Sequence, residues 1–331
     1  MSAQEMSGVH LYIRLMMVNG GGRLLEVQRR YRFLASCAHR SLSAAEIARQ
    51  CGTRGAPTHL FLRGLAALGL VEERQERFSL TPLGKGLTEN PQLLGDRFWD
   101  HLPEYLKTGE PLIKMDAIQH QAEHYQTEVG LLGWMLTPCA EEAAQILGIG
   151  QKRTGVRILD VGAGSAVWSL AMARRDRSST VTALDWPEVL KVAQVQARAQ
   201  NLEGQLSLLP GDFHELRLSA GAFDVVILAN VTHLNAPEMN LNDFRKIHEI
   251  LPPGGELVVI DIFPGAPQGD LVRALYEMGL ALRTEKGQVH SKSLLSQQLL
   301  EAGFETPDFT LLQSPPNILG MLVAKKEGAN A

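Results

Sequence analysis

The sequence predicts an α/β protein whose larger part is a mostly parallel sheet covered by helices on both faces, preceded by a smaller, mainly helical region. Three observations carry this. After Gly155 apolar runs of strand length, VRILDV, TVTALD, LSLLPGD, FDVVILAN and GELVVIDIF, alternate with helical stretches such as PEVLKVAQVQARAQ, the pattern of crossover-connected parallel strands. Before that point Leu24, Val27, Tyr31 and Leu34 recur at helical spacing. The chain also has 331 residues, room for roughly two ordinary domains.

Taken in order, SLSAAEIARQ offers Ser43 as the cap of a short helix, and THLFLRGLAALG supplies a second amphipathic helix ending at Gly69. LVEERQERFSLTPLG then reads as two short strands around a charged turn, which completes a helix-turn-helix with a wing. A helix that reads DNA presents several base- and phosphate-contacting side chains. This one offers Arg63 and is otherwise apolar, so a protein partner is expected, a second copy of the chain, and no nucleic acid. From 96 to 150 the pattern is helical and rich in aromatic and His residues. The expected division is 1–95, a winged-helix dimerisation domain; 96–150, a helical linker with pocket helices; and 151–331, the ligand-binding α/β domain.

Composition narrows the class. The chain is 45% hydrophobic and 21% charged with a net charge of −4, which describes a globular protein without a global positive field for nucleic acid or anionic lipid. Its three cysteines, Cys37, Cys51 and Cys139, form no CxxC, so neither a disulfide framework nor a structural zinc site is indicated and reduced thiols in the cytoplasm are expected. No apolar run has the length of a membrane span or a signal h-region. His120, Glu123 and His124 cluster at helical spacing without HExxH or a third ligand, so no metal is expected.

The strongest local motif is VRILDVGAGSAVWSLAMAR. A strand ends in Asp160, and Gly162 and Gly164 turn the chain into a helix, leaving backbone N–H groups open to a ligand. Asp185 closes the next strand 23 residues after Gly162, the spacing of an acid that accepts from ribose hydroxyls. Three residues beyond Gly164 stands Val167, where a dinucleotide fingerprint places glycine or alanine, which disfavours a nicotinamide oxidoreductase. Asp160 in D-x-G-x-G instead suits a cationic amino group. A ligand carrying a ribose, an adenine and a positively charged amino-acid end fits this set.

At this point the chain resembles the class I S-adenosylmethionine-dependent methyltransferases, and more narrowly the plant-type O-methyltransferases with an N-terminal winged-helix dimerisation domain. The resemblance spans about residues 24–324 and rests on WDHLPEYLKTGEPL, DVGAGSA, DWPEVL and AGF. It implies a Rossmann-like, mostly parallel seven-stranded sheet, a homodimer, and S-adenosylmethionine (SAM) as methyl donor, leaving as S-adenosyl-L-homocysteine. Gly162 and Gly164 would line the methionine and ribose end, Asp160 the amino group, and Asp185 the ribose, with Trp186 walling the adenosine. Gly211, Asp212 and Phe213 match the family's G-D-M/F-F step at the adenine. Ala166 replaces the family's third glycine.

FDVVILAN delivers Asn230, and then His233, to the carboxyl edge of the sheet, where the resemblance implies that Asn230 borders the cofactor and His233 is a general base. The family's orienting acid, 28 residues later, is Asp261, an Asp in place of Glu. A second acid of the plant enzymes is replaced by Val289. The resemblance also places Tyr125, Trp134, Met135 and Tyr276 at the acceptor pocket, with core packing the competing reading for each. The function expected is methylation of a small-molecule hydroxyl. The missing second acid keeps open S-methylation of a small sulfur-containing acid such as methylthio-hydroxybutyrate, on the way to dimethylsulfoniopropionate. The helix-turn-helix keeps open a SAM-sensing transcription regulator.

Overall fold

A computed structural model describes residues 3–115, 121–264 and 271–328; the side chains of 3–7, 93 and 121–132 lie outside the description. The chain forms two compact units, residues 1–96 and 97–331. The segment 97–150, set apart in sequence as a linker, belongs to the same unit as the sheet.

The first unit runs α1 (Ala3–Tyr31), α2 (Phe33–Ser36), β1 (Leu42–Ser43), α3 (Ala44–Cys51), α4 (Gly55–Ala67), β2 (Val71–Arg74), β3 (Arg77–Leu80) and α5 (Pro82–Glu89). Ser43 caps α3 as expected, and reciprocally: its side chain accepts from the Glu46 N–H, and Glu46 accepts from the Ser43 N–H at 2.7 Å, a capping box. α4 starts at Gly55, three residues earlier than the apolar pattern suggests, because Ala56 and Pro57 face solvent at its N-terminus, where proline needs no hydrogen bond. β2 and β3 pair antiparallel around Gln75 and Glu76, both at positive φ, and β1 adds to β3, giving the expected wing. Ile47, Leu62, Leu65 and Phe78 are the fully buried centre of this unit.

The second unit opens with α6 (Asp96–Thr108) and α7 (Gln121–Ile146). It continues through β4 (Arg157–Val161), α8 (Val167–Arg175), β5 (Thr180–Asp185), α9 (Pro187–Ala199), β6 (Leu206–Pro210), β7 (Val225–Ala229) and α10 (Pro237–Ile250). It closes with β8 (Glu256–Ile262), α11 (Leu271–Ala281), α12 (Lys292–Glu301), β9 (Asp308–Leu311) and β10 (Leu319–Lys325). The seven strands lie in the order β6-β5-β4-β7-β8-β10-β9. The first five are parallel; β10 is antiparallel to β8 and to β9.

Successive residues of each central strand enter opposite layers. Ile158, Ala183, Ile227 and Ile260 pack with α7, α8 and α9; Leu159, Leu184, Leu228 and Val259 pack with Phe244 and Ile247 of α10 and Leu295 and Leu299 of α12. Strands buried on both faces read as near-continuous apolar runs, which is why they were visible in sequence. Strand order reverses beside β4, and a ligand crevice forms at the carboxyl ends where it does so.

Replacing Ser43 by Ala removes the hydroxyl half of the capping box. It should cost about 1 kcal/mol in the unfolding free energy of the N-terminal unit, read as a lower midpoint in chemical denaturation.

Candidate active site

The site begins where β4 ends. Gly162 and Gly164 take left-handed φ values of 67° and 57°, and a Cβ on Gly162 would stand 2.8 Å from Val231 Cγ2, so both conformation and space demand glycine there. Ala166 adopts the same region, φ 56°, as the cap of α8, which is the conformation that glycine would take more cheaply. The departure noted in sequence is therefore one of backbone cost, and its methyl is fully buried.

Asp185 ends β5 and ties this loop down. Its Oδ2 accepts from the Gly164 N–H at 2.8 Å, its Oδ1 from the Trp186 N–H at 2.7 Å, and its carbonyl from the Gly211 N–H at 3.1 Å. Burial raises its pKa, and the two N–H donations to the carboxylate oppose that rise. Asp160 is deeper still: burial pushes its pKa to about 7, against the Ser169 hydroxyl that donates at 2.5 Å and with the Asp185 charge adding to the rise. After β6, Gly211 turns the chain at φ 148°, the Asp212 carboxylate accepts from the His214 N–H at 2.8 Å, and the buried Phe213 ring lies 4.7 Å from the Lys246 ammonium.

Between these loops lies a cavity of about 510 Å³, within the range of small-molecule sites. Of the residues singled out in sequence, Gly162, Asp185, Trp186, Gly211, Asp212, Phe213 and Asn230 line it. Asp160 and Gly164 are not among the residues that line it. Asn230 has φ 58°, its N–H donates to the Ile260 carbonyl at 2.8 Å, and its buried Oδ1 has no hydrogen-bond partner among the described residues.

His233 sits in the 3-10 turn Thr232–Leu234 just after β7 and is 5% exposed. Its Nδ1 lies 2.7 Å from Asp261 Oδ1, near the end of β8. The same carboxylate accepts from the His233 N–H at 3.1 Å, the Thr232 hydroxyl at 2.5 Å and the Ile262 N–H at 2.8 Å. Burial alone would raise the Asp261 pKa, yet the His233 charge and these donors hold it below the ordinary value. An ionised carboxylate only accepts, so Nδ1 carries a ring hydrogen, and whenever the imidazole is neutral it is Nε2 that offers a lone pair. The pairing of His233 with Asp261, expected from the family spacing, is present in the geometry.

Other expected residues fall differently. Tyr276, on α11, places its hydroxyl 3.1 Å from His233 Nε2. Trp134 and Met135, on α7, are 62% and 40% exposed and do not line the cavity. The Tyr125 side chain lies outside the described residues, as does His120. Val289 packs against the apolar core. Among the described residues no group of three metal-ligating side chains occurs, and no helix is long and apolar enough to cross a membrane.

Sequence reasoning missed His214, Asn235, Met239, Asp243 and Lys286, all of which line the cavity. Asp243 is buried, accepts from Asn235 at 3.1 Å and pairs with His214 at 3.2 Å; the hydrogen bond to Asp243 raises the His214 pKa. Only GDF, directly before His214, pointed near this cluster.

A methyltransferase-domain family profile matches residues 158–255. The chain is 25% identical over 289 residues to demethylspheroidene O-methyltransferase of Rhodobacter capsulatus, across 83% of this chain and 71% of that one. It is 27% identical over 175 residues to L-tyrosine C(3)-methyltransferase of Streptomyces lavendulae, across 51% of this chain and 47% of that one. Human N-acetylserotonin methyltransferase, solved in complex with SAM, superposes with a TM-score of 0.69 at 19% identity, across 98% of this chain and 99% of that one. Sheet order, glycine loop and strand-end acid define a class I methyltransferase fold. The residues that match the methyltransferase-domain profile, 158–255, run from β4 into the turn before β8 of this sheet.

The buried Asp160 gives a pH prediction. Its carboxyl is raised from 3.8 to about 7 in the fold, so the protonated form stabilises the cofactor-free protein fully below the unfolded value, and that contribution is lost as pH rises through about 7. Thermal melting without cofactor should therefore decline between about pH 4 and pH 7 more steeply in the wild type than in Asp160→Asn, which still accepts from Ser169.

Proposed function

We propose that the enzyme methylates a hydroxyl of a small molecule, with SAM in the 510 Å³ cavity and His233 as the general base. The observation that carries this reading is the His233–Asp261 pair at 2.7 Å. It sits in a turn whose neighbours Val231 and Leu234 line the cavity while the His233 ring does not. That arrangement holds a base beside the methyl donor without exposing it to the donor's own pocket.

The donor set suits SAM. Asp185 has lone pairs left after its two N–H contacts for the ribose hydroxyls. Asp212 accepts from the adenine amine, with Phe213 and Trp186 as its walls. The unpartnered Asn230 Oδ1 accepts from a ligand donor, and Asp160, close to its ionisation point at neutrality, takes the ammonium end. SAM supplies an electrophilic methyl when bound. The chain's part is orientation of the two reactants, removal of the hydroxyl proton at Nε2, and support of the resulting imidazolium by Asp261. The O-methyltransferase that aligns over most of this chain supports a hydroxyl acceptor.

Methylation at sulfur, which needs no base for a thioether and stays open in sequence because Val289 stands where the family has its second acid, gains no support from the relatives; Val289 packs, partly buried, against the apolar core. Sensing of SAM by a DNA-binding protein gains no support, since the exposed face of α4, Ala56, Pro57, Leu60, Arg63 and Ala67, presents a single cation.

Dimerisation belongs to the same proposal. Along α1, Leu11, Tyr12, Leu15, Met16 and Met17 are each more than half exposed, an apolar surface of the kind that a second copy covers.

Calorimetry should show SAM binding that weakens at least about tenfold, 1.4 kcal/mol, in Asp185→Ala. In His233→Ala, turnover of hydroxyl acceptors should fall by about 10²–10⁴ while SAM affinity is kept. Retained turnover of a thioether in that variant, with no hydroxyl methylation by the wild type, would transfer the proposal to sulfur. Light scattering should give twice the 36.3 kDa of the chain, and Leu15→Glu with Met17→Glu should return the monomer mass; a wild-type monomer would remove the dimer.

A further inference from the structure

The two oxygens of Asp261 have different partners. Oδ1 takes His233 Nδ1 at 2.7 Å and the Ile262 N–H at 2.8 Å; Oδ2 takes the Thr232 hydroxyl at 2.5 Å and the His233 N–H at 3.1 Å. An ionised carboxylate offers about four acceptor sites, and these four donors use them. Two of the donors are backbone groups and one is the imidazole itself. The remaining one, the shortest contact of the set, comes from a threonine side chain that is buried with the acid.

The tautomer of His233 is decided at this carboxylate. A hydroxyl either donates or accepts, so the Tyr276 contact at Nε2, 3.1 Å, does not choose between tautomers. A carboxylate oxygen directed at Nδ1 does, because it only accepts. The direction in turn depends on rotation about the Asp261 Cβ–Cγ bond, a torsion with a broad, roughly two-fold profile. Oδ1 stays on Nδ1 only if Oδ2 is held, and the His233 N–H at 3.1 Å is the longest of the four contacts. Thr232 can hold it because its own turn is fixed from behind. Its carbonyl accepts from Asn240 Nδ2 on α10 at 3.0 Å, and the His233 carbonyl accepts from the Gln288 N–H at 2.8 Å.

On the reading of His233 as general base, we propose that Thr232 is a positioning residue of the reaction: its hydroxyl locks Asp261 Oδ2, so that Oδ1 keeps the ring hydrogen on Nδ1 and Nε2 is left to receive the acceptor's proton. Thr232 exchanges no proton in the step. The acceptor's O–H proton goes to Nε2, the freed electron pair of its oxygen forms the O–CH3 bond, and the C–S pair goes to sulfur, which becomes a neutral thioether. The hydroxyl also suits an acid as short as Asp: it ties the turn that carries the base to the same carboxylate that orients the base.

Thr232→Val tests this, because it keeps the branched shape and removes the donor. Nitrogen-15 NMR of histidine-labelled full-length enzyme, at alkaline pH where the ring is neutral, identifies the His233 signals by their loss in His233→Ala. The wild type should show a protonated Nδ1 and a bare Nε2. In Thr232→Val the two signals should move towards each other, the mark of mixed tautomers, and in Thr232→Ser they should return to the wild-type positions. With simple phenols and catechols as acceptor probes, kcat should fall about tenfold or more in Thr232→Val, the scale of a hydrogen bond to a charged group, with KM and SAM affinity little changed and with recovery in Thr232→Ser. In an Asp261→Ala background Thr232→Val should lower the rate little further, since both act on one imidazole. Should Val at this buried position prevent folding, Thr232→Ser against Thr232→Ala differs by the hydroxyl alone and gives the same comparison. An unmoved tautomer, or kcat retained without the hydroxyl, overturns the proposal by showing that Thr232 only satisfies its own hydrogen bond. Failure of the base reading is seen separately: a wild type that binds SAM and methylates none of the probes removes the base, and the positioning role with it, even where the tautomer is lost in Thr232→Val.

Discussion

Three loops meet at Asp185, and the site exists because they do. Its two carboxylate oxygens take the N–H groups of Gly164 and Trp186, and its carbonyl takes that of Gly211. The connections after β4, β5 and β6 are thereby fixed to one residue at the edge of the sheet. The cost is burial of a carboxylate, visible as a raised pKa, and charge-assisted donations from the backbone offset it. Glycine at 162 and 164 is the other half of the constraint: only left-handed backbone brings the 164 N–H to the acid.

The second half of the site follows from strand register. β7 and β8 pair in parallel with Ala229 opposite Ile260, and the Asn230 N–H continues the ladder to the Ile260 carbonyl. The next residue of β8, Asp261, therefore lies beside the turn that follows Asn230, where it accepts from Thr232 and from both the backbone and the ring of His233. A spacing of 28 residues is what one helix, two connections and a strand require to return to the same edge. The shorter reach of Asp compared with Glu is absorbed by the turn, which brings the ring to 2.7 Å.

This division explains what was legible in sequence. The central strands β4, β7 and β8 were readable because both of their faces are buried, so apolar runs stood out. The glycine loop, Asp185 and the 211–213 step were readable because each is local, a strand end followed by a turn. Ser43 was readable as a cap for the same reason. The contact between Tyr276 and His233 was not, because it depends on where α11 settles over the sheet edge, and no short pattern encodes the approach of segments 43 residues apart. Asp243, Asn235 and His214 were hidden likewise: on α10 an acid at helical spacing reads as solvated surface, while in the fold Asp243 is 3% exposed and takes donors from two other segments. Trp134 and Met135 illustrate the converse, large side chains that the resemblance directs to a pocket and that the fold places outside the cavity lining, 62% and 40% exposed.

The polar groups around the cavity also indicate where a ligand must contribute. The chain of contacts from His214 to Asp243, Asn235, Asn240, the Thr232 carbonyl and hydroxyl, Asp261 and His233 is closed at each step by protein partners. Such a network fixes geometry because every member is satisfied. Two groups at the same edge are left otherwise. Asn230 Oδ1 is the one buried orphan among the described residues that belongs to the cavity lining, and Asp160 is buried with the Ser169 hydroxyl as its side-chain donor, its pKa raised to about 7. Both are acceptors, and a cationic, hydrogen-bond-donating ligand lowers the free energy of both at once. The protein is thus preorganised around His233 and left incomplete around Asn230 and Asp160, where a bound ligand would complete the electrostatics of the site.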